Sequence, residues 1–212
     1  MTLKRSLALA AAAVTLGLGG CISVFPKTPP AQLYRFDDAG DAPAPAGQAP
    51  APAGARTAIS VGRIAFDSAA STDRILTVTG RDAAYIASAR WVSPAPTLFE
   101  QALVRAMDRT PGAPQLVPRG LASAVLSLDV QSFETRYDQG PDAVPSVVVQ
   151  VHAQLSRADT LALTGERTFL VRVPAADNRV GAIVQAYDEA VRQTLDQLVA
   201  WTVGAPPAAA AG

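Results

Sequence analysis

The chain has 212 residues with 18 basic and 18 acidic side chains, one Cys and one His. That length suits one domain with a real core. The balanced charge without a basic block argues against a nucleic-acid partner, a lone Cys excludes an intrachain disulfide, and one His with one Cys supplies few metal ligands.

Lys4 and Arg5 precede an uncharged stretch, Leu7 to Leu18, which closes Leu18-Gly19-Gly20-Cys21. A short basic head, an apolar middle and small residues before the cut make a secretory signal peptide, residues 1–20. The apolar middle is about 12 residues, roughly 18 Å of helix, too short for a hydrocarbon layer of about 30 Å. A branched apolar residue, two small ones and a Cys resemble the bacterial lipobox. That resemblance implies cleavage after Gly20, diacylglycerol on the Cys21 sulfur and an N-palmitoyl chain on the new amino group. Each buried CH₂ contributes about 0.8 kcal/mol, so one acyl chain holds marginally and two or more hold firmly. Ile22 and Ser23 follow Cys21. An Asp there resembles the inner-membrane retention signal of enteric bacteria, and its absence favours the periplasmic face of the outer membrane. Cleavage removes two basic residues, leaving 16 against 18 acidic ones, a net charge of −2. With its only thiol acylated, the domain must rest its stability on apolar burial.

Residues 21–36 are the lipidated Cys, a short tether and a candidate first strand at Leu33-Tyr34-Arg35-Phe36. About ten extended residues reach some 30 Å, which keeps the domain near its membrane. Residues 37–57 are rich in Pro and Ala, without a large apolar side chain, and read as a disordered insert; a PxxP ligand is the functional alternative. The ordered domain is expected over 58–203, followed by a Pro/Ala tail at 204–212. Ile59 to Phe66 alternates, with Gly62-Arg63 as a candidate bulge. Ile75 to Thr79 and Ala83 to Ala87, joined at Gly80-Arg81-Asp82, predict a hairpin. After Trp91, Pro94 and Pro96 predict extension up to Thr97. Thr97 and Glu100 then fit a capping box for a helix over 97–109. Its apolar stripe is Leu98, Phe99, Ala102, Leu103, Ala106 and Met107, and Pro111-Gly112 stops it. Leu116 to Pro118 is a brief extended piece.

Three strands with readable faces follow. Leu126, Leu128 and Val130 share one face of the first. Val147, Val149, Val151, Ala153 and Leu155 share one face of the second, and Phe169, Val171 and Val173 one face of the third. Period two with one wet face predicts a sheet covered on one side only. Val180, Val184, Tyr187, Val191, Leu195 and Leu198 form the stripe of a final helix over 179–202, capped by Asp177 or Asn178 and ending at Trp201. The sum is an α+β fold: a two-layer sandwich of a mixed or antiparallel sheet, five or more strands, with two helices on one face.

Chemistry is sparse. His152 lies mid-strand on the wet face between Gln150 and Gln154, the setting of a surface imidazole. No Gly-x-Ser-x-Gly elbow and no GxxxxGK[ST] loop occurs, and no cofactor, metal or catalytic residue is assigned. Tyr85 and Trp91 are candidates for a contact patch or for structural aromatics. The outer sheet face, with Val148, Gln150, Leu170 and Arg172, is a candidate protein-contact face.

The order of these features resembles the ABC-type transport auxiliary lipoproteins, partners of mammalian-cell-entry (MCE) lipid transporters. The residues that carry the resemblance are Cys21, Tyr34-Arg35-Phe36, the Ile59–Phe66 strand, Arg90-Trp91 ahead of the Thr97–Arg109 helix, the Leu126–Phe133 strand with its two successors, and the helix ending at Trp201. Phe36 stands where the family has Leu, and the Pro/Ala insert is long. The resemblance implies a tethered, non-enzymatic auxiliary subunit of a lipid transport system joining the two membranes. Its partners would be an MCE-domain protein, ABC transporter subunits and the membrane itself, with a homo-oligomer left open. The competing readings are an assembly lipoprotein of another envelope machine and a lipid-anchored hydrolase using His152.

Overall fold

The computed structural model describes residues 30–36 and 57–204. Three long strands form its backbone: β6 (Ala124–Arg136), β7 (Ser146–Arg157) and β8 (Leu163–Pro174), an antiparallel meander paired along nearly its whole length. The other edge of β6 is shared by two strands laid end to end. β2 (Ala58–Phe66) runs parallel to its first half, from Ile59 opposite Ala124 to Phe66 opposite Val130. β3 (Arg74–Thr79) runs parallel to its last residues, Thr77 opposite Thr135 and Val78 opposite Arg136. β5 (Gln115–Leu116) flanks β2. β4 (Asp82–Trp91) pairs antiparallel with β3, and β1 (Gln32–Tyr34) parallel with β4. The result is the eight-stranded mixed sheet of an α+β sandwich. The helices α1 (Ala95–Arg109) and α2 (Val180–Gly204) cover one face of it.

Of four register shifts among the described residues of the sheet, two lie along β6. Gly62-Arg63 is one, where the register of β2 against β6 shifts between Val61 and Ile64. A Cβ on Gly62 would sit 2.8 Å from Val125 Cγ1 and 2.9 Å from Ser127 Oγ, so only Gly allows the strands to approach here. The second lies in β6 between Val130 and Ser132. An extra residue exchanges the two faces of a strand. Leu126, Leu128 and Val130 are therefore buried before it, and Phe133 and Thr135 after it. Between β3 and β4, Gly80 takes φ +60° while Arg81 keeps a negative φ, as a type II′ hairpin turn requires.

Helix starts differ from expectation. α1 begins at Ala95, with Pro94 at the cap position and no side-chain cap; the Thr97 and Leu98 amides donate to the Pro94 carbonyl at 3.0 and 3.2 Å. The capping box at Thr97 does not form, and Pro96 does not exclude helix, because amides of the first turn have no intrahelical acceptor to lose. At α2 the cap position falls to Arg179, whose carbonyl accepts from the Ile183 amide at 3.0 Å. Asn178 instead accepts from the Tyr137 hydroxyl at 2.8 Å and donates to the Pro141 carbonyl at 3.1 Å, tying down the loop between β6 and β7. The stripes of both helices point into the sheet as their spacing predicts.

One core results. At its centre four rings pack together: Phe36 edge to face on Trp91 at 5.0 Å, Trp91 edge to face on Tyr187 at 5.1 Å, and Phe133 tilted within 5.3 Å of both Phe36 and Tyr187. Such pairs contribute about 0.5–1.5 kcal/mol each beyond area burial. Phe66 carries the chain of rings on to Phe99 of α1 at 5.6 Å. At the far end of α2, Trp201 meets Phe169 of β8 at 6.1 Å.

Candidate functional site

The expected lipid attachment, Cys21, lies outside the described residues, as do 1–20, the bulk of the insert and the tail after Gly204. The structure does show where the tether joins the domain. β1 is the outermost strand on its side of the sheet and pairs only with β4. Its ladder is extended by the Val92 amide, which donates to the Tyr34 carbonyl at 2.7 Å. Phe36, 1 % exposed, pins the end of the segment into the ring cluster.

Trp91 and Tyr85 do not share one patch. Trp91 is 2 % exposed and belongs to the core cluster. Its amide donates to the Asp73 carbonyl at 2.7 Å, closing the loop between β2 and β3. Tyr85 is half-buried; its hydroxyl donates to the Ala69 carbonyl at 3.1 Å, and the Arg74 guanidinium lies 4.2 Å over its ring. The Trp91 backbone and the Tyr85 side chain both brace the loop that lets β2 and β3 run in line along β6. Arg90, next to Trp91 in β4, donates to both Asp73 carboxylate oxygens at 3.1 Å.

On the uncovered face, the Gly62-Arg63 bulge opens a shallow hollow of about 340 Å³ lined by Arg63, Ser127, Asp129, His152 and Gln154. His152 is opposite Asp129 in register. Its Nδ1 is 3.1 Å from the Thr168 hydroxyl and its Nε2 is 3.7 Å from a Glu166 carboxylate oxygen. Both ring nitrogens are engaged by neighbours on β8. The Asp129 carboxylate accepts from Gln131 at 3.4 Å. Among the described residues no group of three or more His, Cys, Asp or Glu side chains is placed to hold a metal ion. Nor is any helix there long and apolar enough to cross a membrane. Val148, expected to be wet, is buried on this face. Its register neighbours Glu134 and Arg172 are long side chains held in ion pairs with Arg136 and Asp138.

The perturbed groups are structural. Burial pushes the Tyr187 phenol far above its usual range, against a 3.3 Å hydrogen bond donated by the Thr135 hydroxyl. Hydrogen bonds from Arg192, then Gln193, hold the Glu189 carboxyl below the ordinary carboxylate value. Neither group faces a cleft. Sequence reasoning passed over Phe133 and Tyr187 as a joint: they lie 54 positions apart, and nothing in the spacing pairs them.

The fold recurs in solved structures. A protein from Xanthomonas campestris superposes with a TM-score of 0.69 at 22 % identity, covering 82 % of this chain and 95 % of that one. An uncharacterized protein gives 0.60 at 15 % identity, with coverage of 81 % and 98 %. A hypothetical protein from Chlamydia trachomatis gives 0.51 at 8 % identity, with coverage of 74 % and 100 %. At these identities the likeness is one of fold. No curated protein sequence matches the chain. A family described as ABC-type transport auxiliary lipoprotein component matches residues 41–199, well over half of the chain, and the chain belongs to that family.

Proposed function

We propose that the protein is a lipid-anchored periplasmic subunit, without catalytic activity, of an ABC/MCE-type system that moves lipid between the inner and outer membranes. Cys21 carries the acyl anchor, in the outer membrane, and the domain acts by contact with an MCE-domain protein and ABC transporter subunits. The observation that carries this reading is the family match to an auxiliary component of ABC-type transport. Two features support it. Cys21 is the only cysteine and stands eleven positions before the first strand. The space between sheet and helices is filled by Trp91, Phe99, Phe169 and Tyr187, each no more than about 2 % exposed, which suits a domain that works through its surface rather than by carrying lipid inside. Labelling of growing cells with palmitate tests the anchor: the mature chain takes up label and fractionates with outer membranes. Label persisting undiminished in Cys21→Ser, or absent from the unaltered protein, contradicts it.

A further inference from the structure

We propose that the β1 edge of the sheet docks directly onto the lipid surface that holds the anchor, through an apolar pair formed by Leu33 and Val92; the proposal rests on acylation at Cys21. Leu33 is 61 % exposed and Val92 51 % exposed, beside the stretch where β4 sends Ala89 and Trp91 into the core. They are neighbours. Leu33 is opposite Arg90 in the parallel ladder, and Val92 follows two residues on, so Leu33, Arg90 and Val92 share the face opposite buried Ala89 and Trp91. The charge between the two aliphatic side chains is already matched, since Arg90 donates to both oxygens of Asp73. Arg90 therefore carries no uncompensated charge toward hydrocarbon.

What covers this pair follows from the chain that leads to it. Pro29 and Pro30 have no N–H to give a ladder, so regular pairing along β4 cannot extend upstream of Ala31. The ladder therefore ends next to Leu33. Eleven residue steps separate Cys21 from Gln32, at most about 36–40 Å of fully extended chain. Two aliphatic side chains would not hold a free protein on a bilayer. On a tether this short the bilayer is presented at millimolar effective concentration, and a weak patch then suffices. In sheet order β8 lies at the opposite edge, five strand spacings from β1, or about 24 Å. A domain resting on β1 thus keeps β8 and its exposed Leu170 in water.

Because Cys21 is the only cysteine and its sulfur is acylated, an introduced Cys is the single free thiol. The full mature lipoprotein, as Leu33→Cys, Val92→Cys or Leu170→Cys, is spin-labelled and reconstituted into phosphatidylethanolamine/phosphatidylglycerol vesicles. Collision of each label with oxygen and with a water-soluble nickel complex is then measured. The expected result is high oxygen and low nickel accessibility at positions 33 and 92, with the reverse at 170. Labels at 33 and 92 as accessible to nickel as the one at 170 overturn the proposal. Labels shielded from both reagents place a second copy of the chain on the patch and overturn it too. Protein that fails to float with the vesicles defeats the anchor itself, an outcome distinct from floating protein whose labels stay aqueous.

Discussion

Phe36→Ala tests whether the segment leading from the anchor is part of the core or merely lies beside it. The Phe36 ring is 1 % exposed and meets Trp91 at 5.0 Å and Phe133 at 5.3 Å. Truncating a buried Phe costs about 3–5 kcal/mol, the lost transfer energy plus that of the cavity left behind. In a domain of this size each kcal/mol lowers Tm by about 2–4 °C, so the expected fall is roughly 6–20 °C. Leu33→Ala, three residues away and 61 % exposed, is the control; it should change stability by no more than about 0.5 kcal/mol. Calorimetry of the two variants beside the unaltered protein reads the difference. β1 has only three register pairs with β4, so the alternative is that it detaches alone. In that case Phe36→Ala would make the tether protease-sensitive without moving Tm, and the placement of Phe36 at the centre of the core would be refuted.

Further outcomes follow from particular contacts. Gly62→Ala forces a methyl group to 2.8 Å from Val125 Cγ1 and should cost about 1–3 kcal/mol in urea unfolding, whereas Gly120→Ala, with nothing within 4 Å, should be close to neutral. Tyr187 keeps its proton in the folded state beyond the usual range, while the unfolded phenol ionises near pH 10. Its contribution is therefore complete below about pH 10 and lost as pH rises above that. Urea midpoints between pH 8 and 11 should fall less steeply in Tyr187→Phe. Glu189 titrates below its ordinary value in the fold, so its smaller contribution is present above the unfolded carboxyl value and is lost on acidification. Being solvent-facing, it should be worth at most about 1 kcal/mol, read as a shallower acid limb in Glu189→Gln. His152→Ala should leave folding and envelope function intact; loss of function with an unchanged Tm would reopen a catalytic reading of the hollow.

The faces of β6, β7 and β8 were legible because alternation is a local property of the chain, and so was the inward stripe of each helix. Partners were not legible. Nothing in Ile59–Phe66 or Ile75–Thr79 says that both strands lie against one edge of β6, since parallel pairing joins residues more than 55 positions apart. The bulge at Gly62 announced itself through its Gly; the one after Val130 did not, and only the structure shows Phe133 turning inward. β4 proved ten residues long where five were expected, because its Ala and Ser residues carry little strand propensity and gain it from neighbours on both sides. Among the candidate aromatics, the side chains of Tyr85 and Trp91 are near in sequence yet go to different places, and between them the register of β4 against β3 shifts, which the sequence does not announce.

The claim that the domain serves a transporter by contact meets its most direct measurement in a pull-down of the acylated protein from detergent-solubilised envelopes, read by mass spectrometry. The account predicts an MCE-domain protein together with an ABC permease and ATPase, recovered equally with His152→Ala, and an N-terminal peptide bearing acyl chains on Cys21. Recovery of a lipopolysaccharide- or outer-membrane-protein assembly machine in their place would contradict it.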